Sequence, residues 1–240
     1  PGAIFLFLSL FNPVAFAEPP QYHLSTITDD GMDLGPVFPR LKIANDGTVM
    51  IPRSQLANDS VDTYLWRNGE FIPIYPMAGV EYYTTWDMNN HGQVTGIHAI
   101  DGYHRHAFVS EDSFIVSNLE PLPGSHWDEG QCDNSTGFAI NDLGHVAGES
   151  RPQDFNTRRA ALWTESGPVS LGLVPDLDST IYGVSSVAHG MNNNGEVVGT
   201  SSGVDQDGYI VTWGFFWSDG SMTSIPPFPG GLNSLARDVN

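Results

Sequence analysis

Three histidines fall close together, at His98, His104 and His106. His104 and His106 are two apart, so on a strand they share one face. With His98 brought across a hairpin, three imidazoles would converge, which is a donor set that zinc accepts. A hydrolytic zinc centre often presents histidines four apart on a helix, and no such pair accompanies these three. A second oxygen-rich candidate is Asp205-Gln206-Asp207-Gly208. Two carboxylates two residues apart before a glycine follow the opening of a calcium loop, but the third and the distal carboxylates of a full loop are missing. Asp176-Leu177-Asp178 is weaker still. The simpler expectation is that His106 fills a repeat position, that His98 and His104 face solvent, and that Asp205 and Asp207 belong to a solvated turn. No cofactor is expected, and calcium remains the ion these carboxylates would take.

Other chemistry is harder to place. Acidic residues are so abundant that some pair will meet any loose criterion for glycoside hydrolysis. The chain has no Gly-x-Ser-x-Gly elbow, no phosphate-binding loop and no dinucleotide fingerprint. The single cysteine, Cys132, cannot form an internal disulfide, and no fixed histidine or acid stands ready to activate it. Trp86, Trp127 and Trp213 lie outside the repeated tryptophan position described below. They either pack between units or present rings that could stack on a sugar or on a partner chain.

Charge narrows the partners. Against 9 basic residues stand 28 acidic ones, a net charge of −19 among 240 residues. Such a surface repels phosphate backbones and anionic membranes, so nucleic acid is not an expected partner. Charged residues make up only 15% of the chain and hydrophobic residues 40%, with 26 glycines and 17 prolines. This is the composition of an ordered, turn-rich protein large enough to bury a core.

The elements that must position these residues come from a repeat. Met88-Asn89-Asn90-His91-Gly92-Gln93-Val94-Thr95-Gly96 is followed by Ile140-Asn141-Asp142-Leu143-Gly144-His145-Val146-Ala147-Gly148. Met191-Asn192-Asn193-Asn194-Gly195-Glu196-Val197-Val198-Gly199 is the third copy. Asn89 and Asn141 are 52 residues apart, and Asn141 and Asn192 are 51 apart. A degenerate first copy is Asn45-Asp46-Gly47-Thr48-Val49, and Asp238-Val239-Asn240 opens another. An aromatic strand follows each copy, with Trp66, Trp163 and Trp217 at its end and Ser110 in their place in the second unit. Asn-Gly and Asp-Gly pairs favour positive φ and close hairpins. The flanking runs are short and rich in Val and aromatic residues, which predicts strands. No stretch holds a 3.6-residue period, so no helix is expected.

Each unit therefore holds about four strands. In the third they are expected near 137–140, 145–148, 159–164 and 169–173, with variable segments at 149–157 and, in the fourth unit, 201–207. Four short strands per unit of this length predict an all-β, β-propeller-like array of four-stranded blades. The units span about 28–78, 79–124, 130–175 and 180–230, with a partial one at 232–240, so the array is expected to be incomplete. Residues 232–240 are expected to pack loosely.

The ordered pattern, apolar-Asn-x-x-Gly-x-Val-x-Gly and then an aromatic strand, resembles the HAF repeat, a probable extracellular repeat of bacterial proteins. The name triplet occurs once, as His106-Ala107-Phe108, and is read as drifting to Ala160-Ala161-Leu162 and Gly214-Phe215-Phe216. The resemblance covers about residues 20–240. It implies an exported bacterial protein with a propeller-like fold, and no catalytic residues travel with it.

Residues 1–17 read as a leader. Ile4 to Leu8 is an apolar run, Asn12-Pro13 breaks it, and Ala15-Phe16-Ala17 precedes Glu18 as a cleavage site. The run is too short to span a bilayer stably. The basic start of a leader is absent, so the natural start is expected to lie upstream. A secreted or periplasmic location follows, with residues 18–240 as the repeat domain. Two function classes remain: a repeat scaffold that binds a carbohydrate or protein surface, or a propeller-type extracellular hydrolase or lyase acting on a polysaccharide. A polar residue that breaks the repeat in one blade and faces the axis would separate them.

Overall fold

In a computed structural model, the described residues are 4–7, 24–27, 41–52, 63–80, 82–99, 104–111, 114–123, 134–151, 157–180 and 183–240. All elements among them are strands. Ile4–Phe7 (β1) pairs antiparallel with Leu24–Ile27 (β2). The other sixteen strands form four antiparallel four-stranded sheets, each a simple meander.

Blade one comprises Lys42–Ile43 (β3), Val49–Pro52 (β4), Thr63–Arg67 (β5) and Glu70–Pro73 (β6). Blade two comprises Tyr82–Met88 (β7), Val94–Ala99 (β8), Arg105–Glu111 (β9) and Phe114–Leu119 (β10). Blade three runs Ser135–Ile140 (β11), Val146–Ser150 (β12), Arg159–Thr164 (β13) and Gly167–Gly172 (β14). Blade four runs Ser186–Met191 (β15), Val197–Val204 (β16), Ile210–Ser218 (β17) and Ser221–Ile225 (β18). The third blade follows the predicted strands closely. In the fourth, part of the expected variable segment is strand, because β16 and β17 continue their ladder out to Val204 and Ile210.

A strand that is apolar on both faces needs a layer on each side, and the blades supply these layers to one another. One core lies between blades one and two, built from Met50, Leu65 and Ile74 against Tyr83, Val94 and Phe108. A second sets Ala107 and Leu122 of blade two against Ile140, Val146, Ala161 and Trp163 of blade three. The third and largest sets Ala147, Leu162 and Leu171 against Met191, Val197 and Phe215. The first strands β7, β11 and β15 lie side by side, while the last strands β14 and β18 only graze. The sheets therefore fan outward from an inner edge. No sheet closes into a barrel, and the array is an open, propeller-like arc.

The strand register corrects one alignment. Gly96, Gly148 and Gly199 pair with Phe108, Ala161 and Phe215 respectively. The equivalents of His106-Ala107-Phe108 are thus Arg159-Ala160-Ala161 and Trp213-Gly214-Phe215, one residue earlier than a comparison of hydrophobic runs suggests. The tryptophan position keeps its alignment, since Val49, Val146 and Val197 face Trp66, Trp163 and Trp217. In the second blade Ser110 fills this position and its Oγ accepts the Val94 N–H at 2.9 Å.

Candidate functional site

The repeated asparagine is a turn-former and a joint between blades. The Asn141 side-chain oxygen accepts the N–H groups of Leu143 and His145 at 3.1 and 3.0 Å. Asn89 and Asn192 do the same for His91 and Gln93, and for Asn194 and Glu196. Each turn ends on a glycine at positive φ: 77° at Gly92, 76° at Gly144 and 81° at Gly195. The amide nitrogen then reaches the next blade. Asn89 Nδ2 donates to Asn141 O at 2.9 Å, and Asn141 Nδ2 donates to Asn192 O at 3.3 Å. One residue further on, the N–H of Asn45 donates to Asn90 Oδ1, that of Asn90 to Asp142 Oδ1, and that of Asp142 to Asn193 Oδ1. A polar ladder therefore runs from blade to blade along one end of the inner edge.

Asn141 is 2% exposed. Asn141→Ala would strip two turn N–H groups and one carbonyl of their partner, so a loss of roughly 2 to 4 kcal/mol is expected. The measurement is the urea midpoint, with Leu143→Ala as control. Leu143 is on the same turn and 64% exposed, and its replacement should shift stability by no more than about 0.5 kcal/mol.

A second joint stands six residues before each asparagine, and it leaves no motif in the sequence. Ser135 Oγ accepts the Ala107 N–H and Ser186 Oγ accepts the Ala160 N–H, both at 2.9 Å. The same hydroxyls donate to Leu119 O and Gly172 O on the last strand of the preceding blade. Ser234 repeats the arrangement, with Gly214 N–H as donor at 2.8 Å and Ile225 O as acceptor. Between blades one and two the Tyr83 hydroxyl plays this part, taking the Thr63 N–H and donating to Ile74 O. The segment after Gly231 forms no strand and is largely exposed, as loose packing would have it. It is nevertheless pinned to blade four through Ser234.

Between these two joints, three residues before each asparagine, lies the position that differs from blade to blade. Trp86, Phe138 and His189 each sit where the inner ladder skips a residue, at a bulge between β7 and β8, β11 and β12, and β15 and β16. A bulge re-aims its extra residue out of the regular pleat. The three half-buried rings form a row, with centroids 5.0 Å apart from Trp86 to Phe138 and 6.3 Å from Phe138 to His189. At the same offset stands Arg237 before Asn240, and in blade one Leu41, because Val49 answers to Val94 and Asn45 to Asn90. Lys42 pairs with Asp87 at 2.9 Å, and the other oxygen of Asp87 accepts the Ile140 N–H at 3.0 Å. His189 shares a hydrogen bond with Thr200 Oγ1 at 3.0 Å. Burial, with Arg237 nearby, holds the His189 pKa down at about 4, so its imidazole is neutral at pH 7.

The candidate metal ligands lie in two separate places, the histidines in and beside the β8–β9 pair and Asp205 and Asp207 at the β16–β17 turn. His98 and His106 face each other across β8 and β9, with ring centroids 6.4 Å apart. His98, expected to face solvent, is completely buried, and His106 is buried beside it. His98 occupies the place where the later blades carry Ser150 and Ser201, whose hydroxyls accept the N–H groups of Leu122 and Val174. His104 precedes β9 and does not complete a trio with them. Among the described residues no three His, Cys, Asp or Glu side chains gather closely enough to hold a metal ion. Asp205 Oδ1 accepts the N–H groups of Asp207 and Tyr209 at 3.0 and 2.9 Å. That is the bonding of the asparagine turns, now closing the β16–β17 hairpin. Trp213 is packed on the core between blades three and four, whereas Trp86 lies in the inner row. Trp127, Cys132 and the Ala15-Phe16-Ala17 cleavage site lie outside the described residues. No described helix is long and apolar enough to cross a membrane.

Compared with known proteins, the chain matches no protein-family description, no curated protein and no solved structure.

Proposed function

We propose that the chain is an exported repeat scaffold that binds a ligand along its inner edge, and that its units are divergent HAF-type repeats. One observation carries this reading. At a single offset in otherwise similar repeats the side chains are all different: Leu41, Trp86, Phe138, His189 and Arg237. Positions that only hold a fold together repeat, as the asparagines, glycines and clasp hydroxyls do. A ligand is asymmetric, and a symmetric scaffold meets it with unlike groups at like places.

Export is the second half of the proposal. The apolar run and Ala15-Phe16-Ala17 would be removed, leaving a mature chain that begins at Glu18. The β1–β2 pair would then exist only in the uncleaved precursor, where a lone two-stranded ladder is marginal. The competing hydrolase or lyase reading asks for an acid and a base beside the substrate. The row brings two carboxylates, Asp87, whose oxygens are both engaged, and Asp238, beside Arg237, and among the described residues no second titrating group is set against either as an acid–base pair.

The test compares the chain with a Trp86→Ala/His189→Ala variant, each mixed with insoluble cell-envelope material. The expected result is retention of the parent chain, at least tenfold weaker retention of the variant, and no release of soluble sugar. Equal retention of both would remove the inner row from the account, and sustained release of reducing sugar would favour the enzyme.

A further inference from the structure

The inner row also indicates the class of ligand, on the premise that it is the binding surface. We infer that it takes an uncharged oligosaccharide, packed along the row of Trp86, Phe138 and His189.

Charge removes two alternatives. The net charge of −19 repels polyanions before they reach any site. A cationic ligand would need surplus negative charge in the row. Asp87 is neutralised by Lys42 and bonded to Ile140 N–H, and Asp238 stands beside the Arg237 cation with its Oδ1 accepting the Val239 N–H. His189 adds no charge at pH 7, because burial keeps its imidazole neutral. The ligand that remains is uncharged, with apolar faces and hydroxyl edges. The half-buried rings of Trp86 and Phe138, packed edge to face at 84°, offer one ring face and one ring edge as apolar surface for the C–H groups of a sugar. His189, anchored by Thr200, is a hydrogen-bonding group beside them. The Arg237 side chain is exposed at the end of the row, in none of the ion pairs found among the described residues, and its five donors suit hydroxyl oxygens.

The backbone argues against a peptide. An extended peptide gains its affinity by adding a strand to a free sheet edge. Each inner strand is such an edge, but the ladder is broken by a bulge at the row itself, and bulges spoil edge pairing. The surface offers rings at successive positions rather than a continuous line of backbone donors and acceptors.

The experiment titrates the full chain with neutral hexasaccharides (cello-, malto-, xylo- and chito-oligosaccharides), with hexagalacturonate, and with an unfolded casein peptide. Calorimetry and tryptophan emission follow binding. The expected result is binding of at least one neutral hexasaccharide, changed less than twofold between low and high salt. Trp86→Phe and His189→Gln should each weaken it at least fivefold while leaving the unfolding midpoint within a few degrees. Preference for hexagalacturonate or for the peptide, abolished by the same two substitutions, would overturn the ligand class and leave the inner row as the binding surface. Binding that ignores both substitutions, or no binding of any probe, would overturn the inference. In that case the envelope retention experiment decides separately whether the row binds anything.

Discussion

Gly148→Ala is expected to lower stability by roughly 4 kcal/mol or more, among the largest effects of any single methyl addition in this chain. A Cβ at Gly148 would lie 1.9 Å from Thr136 O and 3.1 Å from Gly137 Cα. Those atoms are backbone on the paired strand, so no rotamer change relieves the clash, and β11 and β12 must part. Gly96 and Gly199 meet Thr84 O and Val187 O in the same way, at 1.9 and 2.0 Å. The contrast is Gly172, where a Cβ has nothing within 4 Å and the only penalty is φ of +86°. Gly172→Ala should therefore cost about 1 to 2 kcal/mol. Urea unfolding of both variants measures the difference. A Gly148→Ala protein within 1 kcal/mol of the parent would mean that the inner two strands do not approach as closely as described.

Acid should weaken the interface between blades one and two through His98. This ring is completely buried, and neither of its nitrogens has a hydrogen-bond partner. Desolvation lowers its pKa to about 4, the neighbouring Asn118 side chain opposes the shift, and the facing His106 adds a smaller lowering contribution. A histidine with a depressed folded-state pKa stabilises the fold above its unfolded value, near 6.5, and that contribution is lost as pH falls. Unfolding free energy should thus decline from about pH 6.5 to pH 4, by up to roughly 3 kcal/mol from this group. His98→Asn removes the titration. Its stability should change less between pH 7 and pH 4.5 than that of the parent, and equal slopes would contradict the assignment. His189 titrates in the same range but is half-buried, so its part is discounted for solvent.

The turns and the blade count were legible because their chemistry is local. Asparagine caps its own turn, glycine takes the left-handed position, and both recur at fixed spacing. The tryptophan position was legible for the same reason, even where Ser110 replaced the ring. The His-Ala-Phe equivalents slipped by one, because Ala160-Ala161-Leu162 and Arg159-Ala160-Ala161 look alike when only apolar character is matched. Hydrogen-bond register separates them. The histidines were a candidate metal site because their strand spacing was right, and His98 was expected at the solvent because spacing does not reveal that it is completely buried. The clasp at Ser135, Ser186 and Ser234 was missed because serine is common and Tyr83 interrupts the series. The inner row was missed for a deeper reason. A position defined by difference leaves no motif, and only its constant offset before Asn89, Asn141 and Asn192 could have revealed it.

The open arc leaves apolar side chains bare at its last blade. Leu122 and Val174, near the ends of blades two and three, are 4% and 2% exposed because the following blade covers them. Phe228, just after the last strand of blade four, is 91% exposed. Four blades fanned about an inner edge, without closure, is the central structural claim, since closure would bury Phe228 and restrict access to the row. Small-angle X-ray scattering on the chain, read with its mass in solution, tests it directly. The account predicts the profile of an open four-blade arc, accompanied by self-association as concentration rises. A stable monomer with the compact profile of a closed ring would contradict it.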